Sequence, residues 1–460
     1  MRRDYDPNSV VKRLTLVISV ALALGSFMPQ AAGAESGQIT YLVGGDRTLG
    51  KTAAVEWEGA WVKNLSKAFA RAADDLNAGG AITVTIKVAQ GEYDGDLGSG
   101  AYQLPQFTNP AGVLIIEGGY DPAFALRNPF STPSWITTIP ERSAPLVAFA
   151  RNSKLQGFIV DGMFFDTGQS NRYDSKTNSL LVGRSCTHPF FKFNYFETEV
   201  LAFENCTFMN SASRVMEPLI RAASDQAEIR YQNCMFVNNR IPLKLDSARF
   251  RNKPARIAVD HCSFVLNWAY NPDPGTGNPA ALEIGPADAA REIQITNNLF
   301  QCNFGGAILA LNRRMPALTI SDNNFIGNGF LHGDGEPDAV AMIVTAGGRK
   351  HPLTVADIED VPAVDEAEGN VSLATGIPLQ LGDVAMVDSE NVRAADTWAN
   401  EVRRMLGMNL QGGTVAIRDY APRQTYDPQE PPFPAFSAAA GYGATADIVD
   451  EIWQLRMASR

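Results

Sequence analysis

Five segments between residues 201 and 325 repeat one order of apolar and polar positions. Each contains a phenylalanine, preceded by Leu or Ile at minus seven and by another apolar residue at minus five. Asn, His or Asp stands three residues before the phenylalanine, and another asparagine follows two or three residues after it. A looser copy covers residues 158–165. The aligned residues are Phe208, Phe236, Phe264, Phe300 and Phe325, spaced by 28, 28, 36 and 25 residues.

This pattern predicts two short strands per repeat, separated by a sharp turn. Apolar residues that alternate with polar ones form a strand with one buried face. Short polar side chains tolerate the left-handed backbone that such a turn requires. Stacked repeats would place phenylalanine on phenylalanine and asparagine on asparagine. An α/β solenoid needs a helix in each repeat, and no helical period fits here. The sequence therefore predicts an all-β parallel β-helix.

The N-terminal part adds a strand at 41–45, an amphipathic helix at 58–76, a strand followed by Gly-x-Tyr at 82–93, and Gly-Gly-Tyr at 118–120. Together with the Asn-Cys-x-Phe repeats, these segments resemble the right-handed parallel β-helix proteins of the pectate-lyase-like superfamily. The resemblance covers roughly residues 38–330. It implies a right-handed solenoid whose N-terminal helix closes one end. It says little about activity, because the fold hosts lyases, hydrolases, epimerases, adhesins and inert scaffolds.

The first 34 residues are expected to be a secretory signal. Basic residues precede an apolar stretch at 14–28, and Ala31-Ala-Gly-Ala34 offers a cleavage site before Glu35. An uncleaved membrane anchor is the alternative. Cleavage predicts export to a periplasm, a cell surface or the medium. We expect the N-terminal cap and first coils at 35–150, β-helix repeats at 151–375, and a C-terminal cap at 376–460 with helices at 394–406 and 448–457.

Composition narrows the choice of partners. The net charge of −11 argues against a general nucleic-acid binder. No segment after the signal has the roughly 20 unbroken apolar residues of a transmembrane helix.

Cys206, Cys234 and Cys262 share one repeat position, which predicts a buried ladder of free thiols, because side chains stacked in parallel do not reach disulfide geometry. The oligomeric state stays open.

One short segment contains residues that could be catalytic. Asp260-His-Cys-Ser263 is similar to a segment of pectate lyases, although the arginine motif that follows it in that family is missing. Cleavage of a polyuronate needs a base and a cationic group beside the carboxyl. If the protein is an enzyme, we expect Lys244, Arg256, Asp260 and His261 to be catalytic.

Insertions between repeats suggest a sugar-binding wall. The coil from Phe264 to Phe300 is longer than its neighbours, and the excess contains Trp268, Tyr270 and Asp273. Aromatic rings above a flat sheet stack against sugars, so these three residues are the predicted substrate-binding set. An ordinary surface insertion is the alternative. We expect no bound metal or other cofactor, although the acidic loop at 332–338 leaves calcium open.

Two functional hypotheses follow. The sequence favours an exported, non-catalytic protein that binds a polysaccharide or cell-envelope glycan, or serves as an envelope or extracellular scaffold. Its support is the absence of the catalytic motifs of pectate lyases, polygalacturonases and alginate epimerases. The alternative is a polysaccharide lyase or related carbohydrate-active enzyme.

Overall fold

The fold is a stack of parallel β-coils in a computed structural model of the 460-residue chain. The structure describes residues 37–46, 59–80, 82–95, 102–137, 144–166, 171–174, 179–182, 188–209, 211, 215–217, 220–237, 239, 242–245, 256–265, 267, 280–285, 290–301, 303, 305–310, 315–328, 340–346, 349–372 and 442–458.

The longest sheet has eleven strands, all parallel to their neighbours. In spatial order they are Ala60–Val62, Gly37–Val43, Ile82–Ala89, Val113–Tyr120, Gly157–Asp161, Val200–Glu204, Glu228–Gln232, Arg256–Asp260, Glu292–Thr296, Ala317–Ser321 and Val364–Glu366. We call this the long sheet.

A second sheet of eight parallel strands follows the long sheet around each coil. Its strands are Gly91–Tyr93, Ser134–Ile136, Met163–Asp166, Thr207–Met209, Met235–Val237, Ser263–Val265, Leu299–Gln301 and Asn324–Ile326. Because the eight strands of the long sheet from Ile82–Ala89 to Ala317–Ser321 each lead into a strand of the second sheet, the described coils wind as a β-solenoid.

Two further sheets complete the coils. The third sheet contains the parallel strands Tyr102–Leu104, Val147–Phe149, Phe191–Lys192 and Met216–Glu217. The fourth contains Leu243–Leu245, Leu282–Ile284, Ile308–Ala310 and Met342–Ala346, with Arg349–Leu353 antiparallel at its edge. Smaller pairs are Phe196–Thr198 with Ile220–Ala222, which is parallel, and Asn171–Asp174 with Ser179–Val182, which is antiparallel. Short 3₁₀ helices occupy Ile358–Asp360 and Ala446–Ile448.

The turn between the long and second sheets has the predicted left-handed backbone. The residues three before each phenylalanine all have φ between 50° and 57°. They are Asn205, Asn233, His261, Asn297 and Asp322. The polar residue at this repeat position is therefore explained by the turn, and this part of the prediction is confirmed.

The aligned phenylalanines form one buried stack, as predicted. The ring centroids of Phe208 and Phe236 are 5.0 Å apart, those of Phe236 and Phe264 are 4.8 Å apart, and the rings are nearly parallel. Phe300 and Phe325 continue the stack at 4.9 and 5.1 Å. All five rings are buried, so they form the centre of the core.

The asparagine ladder after the second sheet is shifted from the prediction in two coils. It passes through Ser211, Asn239, Asn267, Asn303 and Asn328, each bonded to the next through a backbone amide and a side-chain oxygen. The asparagine that the repeat pattern predicts two or three residues after the phenylalanine is Asn210 in the first coil and Asn238 in the second. The correction follows from register: the bonded position is always three residues after the phenylalanine.

The three aligned cysteines are free and fully buried, as predicted. Cys206 Sγ donates to the carbonyl oxygens of Val160 and Glu204, at 3.4 and 3.2 Å. Burial raises the pKa of the Cys206 and Cys234 thiols well above the ordinary value. The next coil has Asn298 at this position, and its side-chain oxygen accepts from the Cys262 amide at 2.8 Å.

The N-terminal helix is shorter than predicted. It spans Leu65–Asn77 and buries Leu65, Phe69 and Leu76 in the core. Residues 60–62 of the predicted helix instead form a parallel strand against Gly37–Val43. Asn64 fixes the start, because its side chain accepts a hydrogen bond from the Lys67 amide at 3.0 Å.

The C-terminal helix lies at Val449–Ala458, one residue from the predicted position. The predicted helix at 394–406 lies outside the described residues, as do the predicted signal at 1–34 and the acidic loop at 332–338. Among the described residues, no helix is both long and apolar enough to cross a membrane.

Candidate functional site

The four predicted catalytic residues lie on two different sheets. Lys244 lies in the fourth sheet, with Nζ 3.8 Å from Glu283 Oε2. Arg256 and Asp260 are the first and last residues of one strand of the long sheet, and His261 follows directly. Four residues of strand separate Arg256 from Asp260 by about 13 Å. A hydrogen bond joins Asp260 to His261, so these two residues form the compact part of the predicted site.

Asp260 accepts three hydrogen bonds from its own protein. His261 Nδ1 lies 2.9 Å from Oδ2, while Thr296 Oγ1 and Asn297 Nδ2 lie 2.8 and 2.9 Å from Oδ1. Burial by itself would raise the pKa of this carboxyl. The charge of His261 and the three hydrogen bonds outweigh burial and lower the pKa. Asp260 is therefore an ionised carboxylate at neutral pH.

His261 is a turn residue that Asp260 orients. Burial would lower the pKa of its imidazole, but the charge of Asp260, its hydrogen bond and the charge of Glu451 raise it. The side chain keeps 23% of its surface exposed. A histidine with a raised pKa holds its proton more firmly, which suits it to donate a proton or to attract an anion rather than to act as a base.

Asp260 belongs to a column of polar residues along the outer face of the long sheet. Successive strands place Glu117, Asp161, Glu204, Gln232 and Asp260 in register, and the last four of these residues end their strands. Three of these side chains are carboxylates with almost no exposure, namely Glu117, Asp161 and Glu204. Buried carboxylates require partners, so something must cover this end of the column.

The cover is Arg456 of the C-terminal helix. Its Nη2 lies 2.7 Å from Glu117 Oε1, and its Nη1 lies 2.7 Å from Asp161 Oδ2 and 2.8 Å from Glu204 Oε2. The Arg456 side chain is only 5% exposed. Burial would lower its pKa, but the three carboxylates raise it. The guanidinium thus bridges three successive coils.

Two further arginines balance the charge of this buried cluster. Arg127 Nη2 lies 2.5 Å from Asp161 Oδ1, and Arg230 Nη2 lies 2.6 Å from Glu204 Oε1. With Arg456, three guanidinium groups face three carboxylates. We call these six residues the ion cluster. Such a cluster is stable only while all its members are present, because each buried charge is compensated by its neighbours.

Residues 442–446 lead the chain across the turns to the helix. The Gly443 amide donates to the Asn297 carbonyl at 2.8 Å, and the Thr445 amide donates to Asn233 Oδ1 at 2.7 Å. Gly443 has φ 84°, and a Cβ there would lie only 2.8 Å from Leu299 Cβ. A glycine is required here, because both the backbone conformation and the close approach exclude a side chain.

Sequence reasoning missed Arg456, although a signal was present. Val449, Ile452 and Arg456 lie on one helical face by spacing, and all three are buried. An arginine on the apolar face of a short helix requires a buried acidic partner. The acids were visible as a carboxylate directly after a short apolar run in three successive coils, at Glu117, Asp161 and Glu204.

The predicted sugar-binding residues Trp268, Tyr270 and Asp273 lie outside the described residues. Within the described ranges, no group of three or more His, Cys, Asp or Glu residues is arranged to hold a metal ion.

Comparisons of the chain with protein-family models, with curated proteins and with solved structures find no match. The parallel sheets agree with a β-helix, but membership of the pectate-lyase-like superfamily stays a prediction from the repeat.

Proposed function

We propose that this chain is an exported, non-catalytic protein that binds polysaccharide or serves as a scaffold in the cell envelope. The supporting observation is that the acidic groups of the long sheet bond within the protein. Asp260 accepts three internal hydrogen bonds, and Arg456 engages the carboxylates of three coils. A catalytic carboxylate needs access to substrate, and these carboxylates are already bonded to partners within the protein.

The proposed fold is a right-handed β-helix of the pectate-lyase-like kind, closed at one end by the helix Leu65–Asn77. Eleven strands at a spacing of about 4.8 Å give the long sheet an extent of about 50 Å. Outside the part of the long sheet that the C-terminal helix covers, a solenoid of this length presents a regular surface that suits a linear polymer, because one chain can contact several coils at once. Export, as the N-terminal segment predicts, would place this surface among extracellular glycans.

A paired assay tests this proposal on the full mature chain. Polyuronates and glycosaminoglycans are incubated with the protein, and unsaturated products are followed by ultraviolet absorbance. Binding to the same panel is measured by affinity electrophoresis. We expect retardation on at least one glycan without release of product. Product release would overturn the non-catalytic assignment, and absence of binding to every glycan would overturn polysaccharide binding.

One observation favours the alternative, a polysaccharide lyase. His261 is held by a carboxylate, carries a raised pKa and remains partly exposed. If cleavage is seen, His261→Gln and Asp260→Asn should abolish it, whereas Asp225→Asn should leave it unchanged. Asp225 is the matched control, because it is an exposed carboxylate paired with Arg291. Activity that survives both substitutions would remove these residues from the mechanism.

A further inference from the structure

Tyr195 lies between two arginines from neighbouring coils. The guanidinium carbon of Arg151 is 5.3 Å from the centre of the Tyr195 ring, and that of Arg221 is 5.0 Å from it. Arg151 follows the strand Val147–Phe149, Tyr195 precedes Phe196–Thr198, and Arg221 lies in the next coil. Aromatic faces attract guanidinium groups, so the ring holds both cations in a row along the solenoid.

The two guanidinium groups have no carboxylate partner among the described residues. Both arginines are exposed. Glu197 pairs with Arg221 in the sheet, yet its Oε1 lies 3.3 Å from Lys154 Nζ instead. Lys154 therefore pairs with this carboxylate, and the two guanidinium groups beside the Tyr195 ring add positive charge that it does not balance. This local excess of positive charge contrasts with the net charge of −11 for the chain.

The backbone of Tyr195 is strained. Its φ of 58° lies in the left-handed region, which bulky residues rarely occupy. A backbone β-bridge pairs Lys154 with Glu197 and so fixes how the two neighbouring coils are aligned. In this alignment Asn152 of the preceding coil occupies the position equivalent to Tyr195. Asn152 has φ 59°, and asparagine is the residue type that tolerates this conformation. A tyrosine in place of asparagine costs backbone energy, and such a cost often marks a functional position.

We propose that Arg151, Tyr195 and Arg221 form a binding site for the acidic groups of a glycan, either carboxylate or sulfate. The inference rests on the proposed polysaccharide binding and adds the charge class and the location. Guanidinium groups bind oxyanions through paired hydrogen bonds. Arginines two coils apart are separated by about 10 Å along the solenoid. That separation is comparable with the distance between acidic groups two sugars apart in an extended chain.

The test uses the mature chain and three probes: polygalacturonate, dextran sulfate and neutral dextran. Calorimetric titration measures the affinity of the wild type and of Arg151→Gln, Arg221→Gln and Tyr195→Asn. We expect the acidic polymers to bind and neutral dextran not to bind. Each arginine substitution should weaken binding at least about tenfold, because a charge-assisted hydrogen bond is lost. Tighter binding of polygalacturonate would show that the site prefers carboxylate groups, and tighter binding of dextran sulfate would show that it prefers sulfate groups.

Arg71→Gln is the matched control. Arg71 is also an exposed arginine beside a tyrosine ring, with its guanidinium carbon 6.0 Å from the centre of Tyr41. The Tyr41 hydroxyl donates a hydrogen bond to the Asp75 carboxylate, so a carboxylate lies close to this arginine and tyrosine. Removing this charge should leave the affinity unchanged. An equal loss in this control would mean that overall charge, rather than the proposed site, controls binding.

Tyr195→Asn separates a binding role from a structural one. Asparagine relieves the backbone strain, so the unfolding midpoint should stay the same or rise while affinity falls. A lower midpoint with unchanged affinity would make Tyr195 a packing residue and overturn the inference. Unchanged affinity in both arginine variants would overturn the site while leaving polysaccharide binding intact. A wild type that binds none of these probes or the wider glycan panel would overturn the proposed polysaccharide binding itself.

Discussion

Replacing Arg456 with methionine should undock the C-terminal helix from the long sheet. Methionine keeps much of the apolar stem and removes the guanidinium. The carboxylates of Glu117, Asp161 and Glu204 would then face only Arg127 and Arg230. Because all three carboxylates are buried, the excess negative charge has no access to water while the helix stays in place.

The expected cost is about 3–5 kcal/mol, the usual penalty for removing one partner of a buried ion pair. Opening of the helix limits this cost, because water can then solvate the exposed carboxylates. The variant should therefore show a lower unfolding midpoint together with faster hydrogen exchange at residues 449–458. Arg291→Met is the control, since Arg291 forms an exposed pair with Asp225 and should cost less than about 1 kcal/mol.

Acidic pH should reduce the difference between wild type and the Arg456→Met variant. Burial would raise the pKa of Asp161, but Arg127, Arg456 and the hydrogen bond from Asn205 outweigh it and lower the pKa. A carboxyl with a lowered folded pKa stabilises the wild type above its unfolded pKa of about 3.9, and this contribution is lost as pH falls through the folded pKa. In the variant the unpaired carboxyls protonate at higher pH.

Chemical denaturation of both proteins at neutral pH and near pH 3 measures the two free energies. Adding Glu204→Gln to Arg456→Met should restore part of the stability, because it removes the excess charge. An unchanged midpoint and unchanged exchange in Arg456→Met would refute the role assigned to the ion cluster. A cost that stays the same at both pH values would show that packing, not charge, fixes the helix.

Three further predictions concern the core and the N-terminus. Phe236→Ala should lower the unfolding free energy by about 3–5 kcal/mol, because phenylalanine rings stack on both sides of it at 5.0 and 4.8 Å. The control Leu126→Ala removes an exposed side chain and should change the unfolding free energy by less than about 0.5 kcal/mol. Equal effects of the two substitutions would contradict the stack. Cys206, Cys234 and Cys262 should resist alkylation until unfolding, as peptide-resolved mass spectrometry would show, and a disulfide between any two would contradict the ladder. N-terminal sequencing of native protein should return Glu35, and a start at Met1 would contradict cleavage.

The repeat made the register of the solenoid predictable. Neighbouring coils contact each other through equivalent positions, so the order of Phe, Cys and Asn along the chain translates directly into stacks. This is why the ring stack of Phe208 to Phe325 and the left-handed turns at Asn205 and His261 follow from spacing alone. The shift from Asn238 to Asn239 shows the limit: two adjacent asparagines match the pattern equally, and hydrogen-bond geometry selects one.

The sequence by itself determined the coils, because their contacts join residues one repeat apart. It did not determine what covers the outer face of the long sheet. Arg456 reaches Glu117 across 339 positions of chain, and no local periodicity encodes such a contact. The Tyr195 site likewise depends on three coils of unequal length meeting at one corner. Tertiary structure decided both, since charge compensation and ring contacts depend on where distant segments meet in space.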